Sequence, residues 1–378
     1  MEYREKRNIM EKKMKILYDY QTMCLQKFGG ISRYFYEVAD NLDKSNKCKI
    51  CIGAKYFNNF YFKKYFEDRG IKYYTGTGKV SKVANITNLI WQLVHRYDIF
   101  HATYYNKYGF KFNFGAKKVT TIHDMIPEKY TDVIAGMEEV IEQKKWHIYQ
   151  SDKIIAVSNQ TKEDILAMYP DIPESKIVVI YHGNSMKFDE QKRGTIKFPS
   201  KYILFVGNRD YYKNFLKMIE GLSGIFARNQ DLNLVCVGGG AFKESEKECL
   251  IKNGMWERTE QFSCDDTDLA WAYHNAECFV FPSKYEGFGI PILEAWACDC
   301  PIALANASCF PEIAGDAAEY FNPDDADDIS RVVSKLLESD QHRSYLVQKG
   351  KDRLKSFSWE KAAEQTVAVY HSLIDGTK

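Results

Sequence analysis

Along the chain, short apolar runs alternate with longer segments whose apolar residues recur every three or four positions. That alternation predicts βαβ units on parallel sheets. In the first half, runs at 15–20, 47–53, 98–104, 117–124, 153–158 and 176–183 predict strands. Helical spacing predicts helices at 30–43, 85–96, 135–151 and 160–169, with Thr161 as the expected cap of the last and Asp164 three residues on. A polar stretch, KFDEQKRGTIKFPSK (187–201), then breaks the pattern and reads as a linker. Beyond it the alternation restarts, with strands expected at 202–208, 232–240 and 278–283. Helices are expected at 268–276, 291–298, 327–338 and 340–355, and a last one from near Ser358. Two α/β halves imply a cleft, with ligands at the C-terminal ends of the strands.

Composition fits that picture and removes some functions. A chain of 378 residues suffices for two domains with ordinary cores. Its net charge of +1 is not that of a nucleic-acid binder. Residues 1–185 nevertheless hold 29 basic and 21 acidic side chains, and the rest hold 23 and 30. No apolar run approaches the ~20 residues of a membrane span. The start, MEYREKRNIMEKKM, is charged and lacks a signal-peptide core, with Met10 and Met14 as alternative first residues. A cytosolic protein is expected, and ten cysteines read as reduced thiols in or near the core. Cys48 and Cys51 spell C-x-x-C, but no second pair follows at zinc spacing.

The most informative segment is SKYEGFGIPILE (283–294). A strand ends at Phe281-Pro282, a glycine-bearing loop follows, and Pro291 suits the first turn of a helix. A helix N-terminus approached through Gly287 and Gly289 is a place for phosphate. Glu286 and Glu294 do not suit phosphate oxygens but suit sugar and ribose hydroxyls. Together they point to a phosphorylated sugar. Arg209 and Lys213 follow the first strand of the second half, four residues apart, and form a basic pair on one face if a helix begins there. Asp265, Asp266 and Asp268 contain a D-x-D string that reads as the acidic start of a helix.

The segment 283–325 resembles the retaining, nucleotide-sugar-dependent glycosyltransferases of family 4, whose E-x7-E signature runs from Glu286 to Glu294. Asp299 and Trp296 depart from the usual Gly and Met of that wording. The resemblance implies an α/β protein of the GT-B fold, two Rossmann-like domains facing a central cleft. It places an N-terminal extension at 1–13, an acceptor domain at 14–186, the linker at 187–201, a donor domain at 202–358, and a last helix at about 359–378 that crosses back to the first domain. By resemblance Glu286 contacts the donor sugar and Glu294 the ribose, and the 287–290 loop (Gly287, Phe288, Gly289, Ile290) joins Arg209 and Lys213 in donor binding. The G-G-I-x-R-Y turn gives Gly29 and Gly30 a donor-phosphate role, with Arg33 as a lesser candidate. H-D-x-x-P gives His123 a place by the sugar, with Asp124 orienting its ring; His101 and His182 are expected to be structural.

No metal or other cofactor is implied. The wording is most similar to bacterial mannosyltransferases of surface-polysaccharide assembly. It implies GDP-mannose first and UDP-sugars second, with a glycan or lipid-linked glycan as acceptor. A catalytically silent nucleotide-sugar-binding protein and a GT-B epimerase are the other readings. Seven aromatics with Lys63 and Lys64 fill 56–66, and Tyr104, Tyr105, Tyr108, Phe110, Phe112 and Phe114 form a second cluster. Such rings suit an anionic membrane surface or core packing, and base stacking least. A basic first domain would then sit peripherally on the inner face of the membrane, with the acidic domain toward the cytosol.

Overall fold

The computed structural model describes residues 13–375 apart from 55, 76–85, 87, 88, 91, 92, 108–110, 112–114, 134, 135 and 193. The extension at 1–12, positions 85, 87, 88, 91 and 92 of the helix expected at 85–96, and Tyr108, Phe110, Phe112 and Phe114 lie outside the described residues.

Two six-stranded parallel sheets form the protein. The first comprises β1 (Lys15–Tyr18), β2 (Lys49–Ile52), β3 (Ile99–Ala102), β4 (Lys117–Ile122), β5 (Lys153–Ala156) and β6 (Ile177–Val179), in the order β2-β1-β3-β4-β5-β6. The second comprises β7 (Tyr202–Val206), β8 (Asn233–Val237), β9 (Thr259–Phe262), β10 (Cys278–Phe281), β11 (Ile302–Ala305) and β12 (Glu319–Phe321), ordered β12-β11-β10-β7-β8-β9. The central strands β3, β7, β10 and β11 are buried at every residue, because helices cover both faces of a parallel sheet. Two parallel sheets with covering helices are the GT-B arrangement expected from the sequence.

Local sequence explains most helix boundaries. The helix Gly30–Ser45 starts after Gly29 and ends at Asn46, which takes the left-handed conformation (φ 58°). The helix expected at 160–169 runs from Asn159 to Met168, and its cap is Ser158, whose Oγ accepts from the Thr161 N–H at 3.0 Å. Thr161 therefore lies inside the first turn, because Ser158, two residues past the end of β5, keeps extended backbone and fits the capping geometry. Asp265 caps Asp266–His274, so that helix starts two residues earlier than expected. Strands β9, β11 and β12 and helices Phe215–Arg228 and Glu244–Lys252 are additions to the elements expected from the sequence. For β9 the reason is its place at a sheet edge, where TEQF is only half-buried.

The aromatic run is mostly core. Phe57, Phe62, Tyr65 and Phe66 are buried along or beside the short helix Phe60–Glu67, whereas Phe60 stays half-exposed. All ten cysteines are free thiols, six of them buried. Between β6 and β7 the described residues of 187–201 form neither helix nor strand, but they are strapped to the Asp266 helix. Asp268 accepts from Thr195 and Ile196 N–H at 2.6 and 3.0 Å, and Phe188 stacks on His274 at 3.7 Å. The last helix, Trp359–Asp375, packs on the first domain: the Tyr370 hydroxyl meets His101 Nδ1 at 2.6 Å and the Tyr18 hydroxyl at 3.1 Å. No described helix is long and apolar enough to cross a membrane.

Candidate active site

The loops after β4 and β10 meet across the two domains. A Cβ built on Gly287 would lie 1.7 Å from the His123 carbonyl oxygen, so only glycine fits. The Gly287 carbonyl accepts from Ser158 Oγ at 2.6 Å and Thr161 Oγ1 at 3.3 Å. Gly287 is thus a domain contact, and its backbone is not open to a ligand as the sequence suggested. Phe288 is likewise 3% exposed, wedged against His182, Tyr181 and Phe357. Gly289 does behave as expected of a special backbone position, with φ 89° at the start of the helix Ile290–Ala297. Ile290 takes the first helical position, with Pro291 behind it. Its side chain lies 3.9 Å from a Cβ built on Gly30, so the starts of the Gly30 and Ile290 helices lie close together. Both ends carry free N–H groups and a positive dipole end. Gly29 is extended (φ 168°), and Gln26 fills the space beside it.

Glu286 is hydrogen-bonded to Lys213 Nζ at 2.5 Å, and both side chains keep a little exposure. Ser308 secures the loop: its Oγ donates to the Glu286 carbonyl at 2.7 Å and accepts from the Glu286 N–H at 3.3 Å. Sequence reasoning missed Ser308, whose only local signal is its place in the NAS wording; its φ of 53° appears only in three dimensions.

Arg209 differs from its expected role. Its side chain is 1% exposed; Nε donates to Glu246 Oε2 at 2.9 Å. Its terminal nitrogens bond the carbonyls of Gly238, Gly240 and Ala241 at 3.1, 2.7 and 3.1 Å. As placed, Arg209 clamps the glycine turn after β8 and does not face the cleft, because three successive left-handed glycines aim their carbonyls at it. Lys213 is the cation that reaches the Glu286 carboxylate.

Glu294 sits one turn into the Ile290 helix and is 7% exposed. It accepts from Arg33 Nη1 at 3.1 Å and the Tyr273 hydroxyl at 3.4 Å. Its carboxyl is held above the usual range, first by burial and then by Asp266, against the opposing charge of Arg33. Arg33, a lesser candidate in the sequence, is the residue of the first domain that reaches this carboxylate. It also lies 3.7 Å from Asp266, the start of the D-x-D helix.

His123 packs edge-on to Tyr34, with ring centres 5.1 Å apart, and its Nε2 has no hydrogen-bond partner among the described residues. Burial first, then His101 and Lys144, pull its pKa down to about 3, so the ring is neutral at neutral pH. Asp124 does not orient the ring: its Oδ1 accepts from the Ile126 N–H at 3.0 Å, and the buried Lys144 lies 3.8 Å from it. His182 is 4% exposed among Tyr34, Phe288 and Trp359, and His101 is hydrogen-bonded to Thr121 and Tyr370. His182 Nδ1, like His123 Nε2, has no hydrogen-bond partner among the described residues.

Two further contacts join the domains. Glu312 accepts from Asn159 N–H at 2.7 Å and Gln160 N–H at 3.1 Å, so a carboxylate of the second domain closes a helix N-terminus of the first. The Tyr285 hydroxyl donates to Asp164 at 2.6 Å and accepts from the Met125 N–H at 3.3 Å. Among the described residues, no cluster of three or more His, Cys, Asp or Glu is arranged to hold a metal ion.

The profile of the family "Glycosyl transferases group 1" matches residues 186–353, and that of "Glycosyltransferase Family 4" matches 28–185. O-antigen chain mannosyltransferase B of Escherichia coli is 27% identical over 273 residues, 68% of this chain and 71% of that protein. Other curated relatives are matched over 33–62% of their own length. Among solved structures, sucrose-phosphate synthase from Thermosynechococcus elongatus has a TM-score of 0.73 at 18% identity, over 97% of this chain and 100% of its own. Anabaena HepE, in complex with UDP and glucose, has a TM-score of 0.72 at 15% identity, over 95% and 100%. At such identity these two structures bear on the fold alone.

Proposed function

We propose a reaction for a chain that belongs to the glycosyltransferases, its first domain matching Glycosyltransferase Family 4 and its second Glycosyl transferases group 1: retaining transfer of a hexose from a nucleotide sugar to a glycan or lipid-linked glycan. One observation carries the assignment of the reaction centre. The tight contact of Gly287 with the His123 carbonyl joins the loop that carries the Glu286–Lys213 pair to the histidine whose Nε2 has no partner among the described residues.

In this reading the donor diphosphate lies between the starts of the Gly30 and Ile290 helices, whose N–H groups receive its charge. Lys213 neutralises charge that grows on the leaving phosphate. Glu286 accepts hydrogen bonds from donor-sugar hydroxyls, and Glu294 from the ribose. Neutral His123 offers Nε2 to the sugar or the incoming hydroxyl. The leaving phosphate oxygen itself takes the acceptor proton as the new bond forms on the same face, a route that needs no dedicated protein base. Closing the cleft excludes water and limits hydrolysis. The diphosphate charge is met by Lys213 and the helix ends, which supports a reaction without a metal.

GDP-mannose is the preferred donor, supported by the mannosyltransferase relatives. UDP-sugars are the second reading, supported by the UDP complex of the HepE neighbour. Peripheral attachment to an anionic membrane is part of the reading: Leu25, Phe28 and Phe60 stand exposed beside Lys27 and Lys64. The test is to incubate the protein with a panel of nucleotide sugars, with and without EDTA and a lipid-linked sugar, and to measure nucleoside diphosphate. Release from GDP-mannose that rises with acceptor and survives EDTA is expected. Tight nucleotide binding with no release from any donor would leave a silent binding protein instead.

A further inference from the structure

Beside the candidate reaction centre, three tyrosines from both domains converge. Tyr130 closes the short helix Ile126–Lys129 that follows His123. Tyr211 and Tyr212 lie on the tight turn Tyr211–Lys213, which carries the cation paired with Glu286. The Tyr130 ring centre is 5.9 Å from Tyr212 and 6.4 Å from Tyr211, the latter nearly edge-on at 68°. Lys213 Nζ lies 5.3 Å from the Tyr212 ring centre. The turn is fixed to the Glu286 loop, since the Lys284 N–H donates to the Tyr212 carbonyl at 2.8 Å. Tyr211 is 62% exposed, far more than a ring held for packing alone.

We infer that Tyr130, Tyr211 and Tyr212 form an acceptor subsite for a pyranose ring, with Tyr211 as the open stacking platform. The inference rests on the transferase reading and names the ligand class at one side of its cleft. A pyranose presents a face of C–H bonds to an aromatic ring and directs its hydroxyls outward to polar neighbours. Both features are present: ring faces, and around them Lys213, Glu286 and the Lys284–Asp324 pair. The charge of Glu286 is also one of the influences, after burial, that hold the Tyr130 and Tyr212 phenols above their ordinary range. The platform is therefore continuous with the carboxylate assigned to the donor sugar. Because Tyr130 belongs to the first domain and Tyr211 to the second, the subsite is complete only when the domains close. This couples acceptor binding to closure.

The probes are α-mannobiose and maltose, added to the full chain after GDP or UDP binding has been measured by calorimetry. Saturation transfer to the pyranose C–H protons reports stacking. Tyr211→Ala and Tyr130→Ala should each weaken disaccharide binding by roughly fivefold, with Tyr211→Trp restoring it. In turnover assays Tyr211→Ala should raise the acceptor KM more than it lowers kcat. Unchanged disaccharide binding in both alanine variants overturns the subsite, as does failure of the wild type to bind either sugar. Loss of nucleotide affinity in Tyr211→Ala, with sugar binding intact, would assign the rings to the nucleobase and also overturn it. Absence of nucleotide binding in the wild type defeats the transferase reading itself, a separate and distinguishable result.

Discussion

The Arg33 guanidinium of the first domain donates to the Glu294 carboxylate of the second at 3.1 Å, and both side chains are nearly buried. An ion pair of this kind joins the domains and sets the charge of the carboxylate assigned to ribose. Burial raises the Glu294 pKa, while Arg33 opposes that rise. Removing Arg33 therefore favours the protonated acid. Arg33→Ala should move the acid limb of nucleotide binding to higher pH and destabilise the closed protein by about 3 kcal/mol. Arg33→Lys should preserve most of the pH profile. An unmoved limb in Arg33→Ala would remove Arg33 from this role.

Lys213 and Glu286 share one short hydrogen bond at the proposed reaction centre. Lys213→Ala and Glu286→Gln should each lower kcat by roughly 10²–10³-fold, the usual loss for one electrostatic stabiliser. Arg209→Lys should chiefly lower the melting temperature, because a lysine cannot serve Glu246 and three carbonyls at once. Steady-state rates beside thermal melts separate the two effects. A wild-type kcat in Lys213→Ala would refute its assignment.

Glu312 acts as a latch on the other side of the cleft. Its oxygens satisfy two N–H groups at the start of the Asn159 helix, which have no intrahelical acceptor. Glu312→Ala should weaken the contact between domains by about 1–2 kcal/mol. Small-angle scattering should then report a larger radius of gyration without nucleotide, restored when nucleotide is added. Identical scattering from the two proteins would show that the latch does not hold the cleft.

Stability should fall as the solution is made acidic. Burial holds His101 and His123 at about 3 and His147 at about 4, and drives His182 well below its usual value. The unfolded chain binds these protons near pH 6.5, whereas the folded protein does not. Their contribution is therefore fully present above about pH 6.5 and is lost as pH falls toward the folded values. Each proton adds a slope of about 1.4 kcal/mol per pH unit. His182→Phe keeps the ring packing against Tyr34, Phe288 and Trp359 and should flatten the slope by one proton. Chemical denaturation at pH 7, 6 and 5 measures it; a slope equal to the wild type's would exclude His182 from the effect.

The fold was readable because its signals are local. Buried parallel strands are short, continuous apolar runs, and the helices between them keep a 3.6-residue period. Edge strand β9 escaped notice because a half-exposed edge lacks that run. Glu286 and Glu294 were visible for a different reason: they lie in one family wording with fixed spacing, and Lys213 lies with Arg209 in a second wording after β7. Arg209 came from the same wording, yet its guanidinium turns into the glycine carbonyls after β8. The sequence does not show where a long side chain turns when charged and backbone groups compete for it.

What the sequence determined by itself is the pair of α/β domains, the motif that follows β10, and the chemistry of its carboxylates. Tertiary structure alone decided which groups from opposite domains meet. Arg33 and Glu294 are 261 positions apart, Ser158 and Gly287 are 129 apart, and Tyr130 meets Tyr212 across the cleft. Periodicity describes how a segment faces its own core. Contacts between cores depend on how two complete domains dock, and that docking is fixed by shape and by buried polar pairs that form only after both domains have folded.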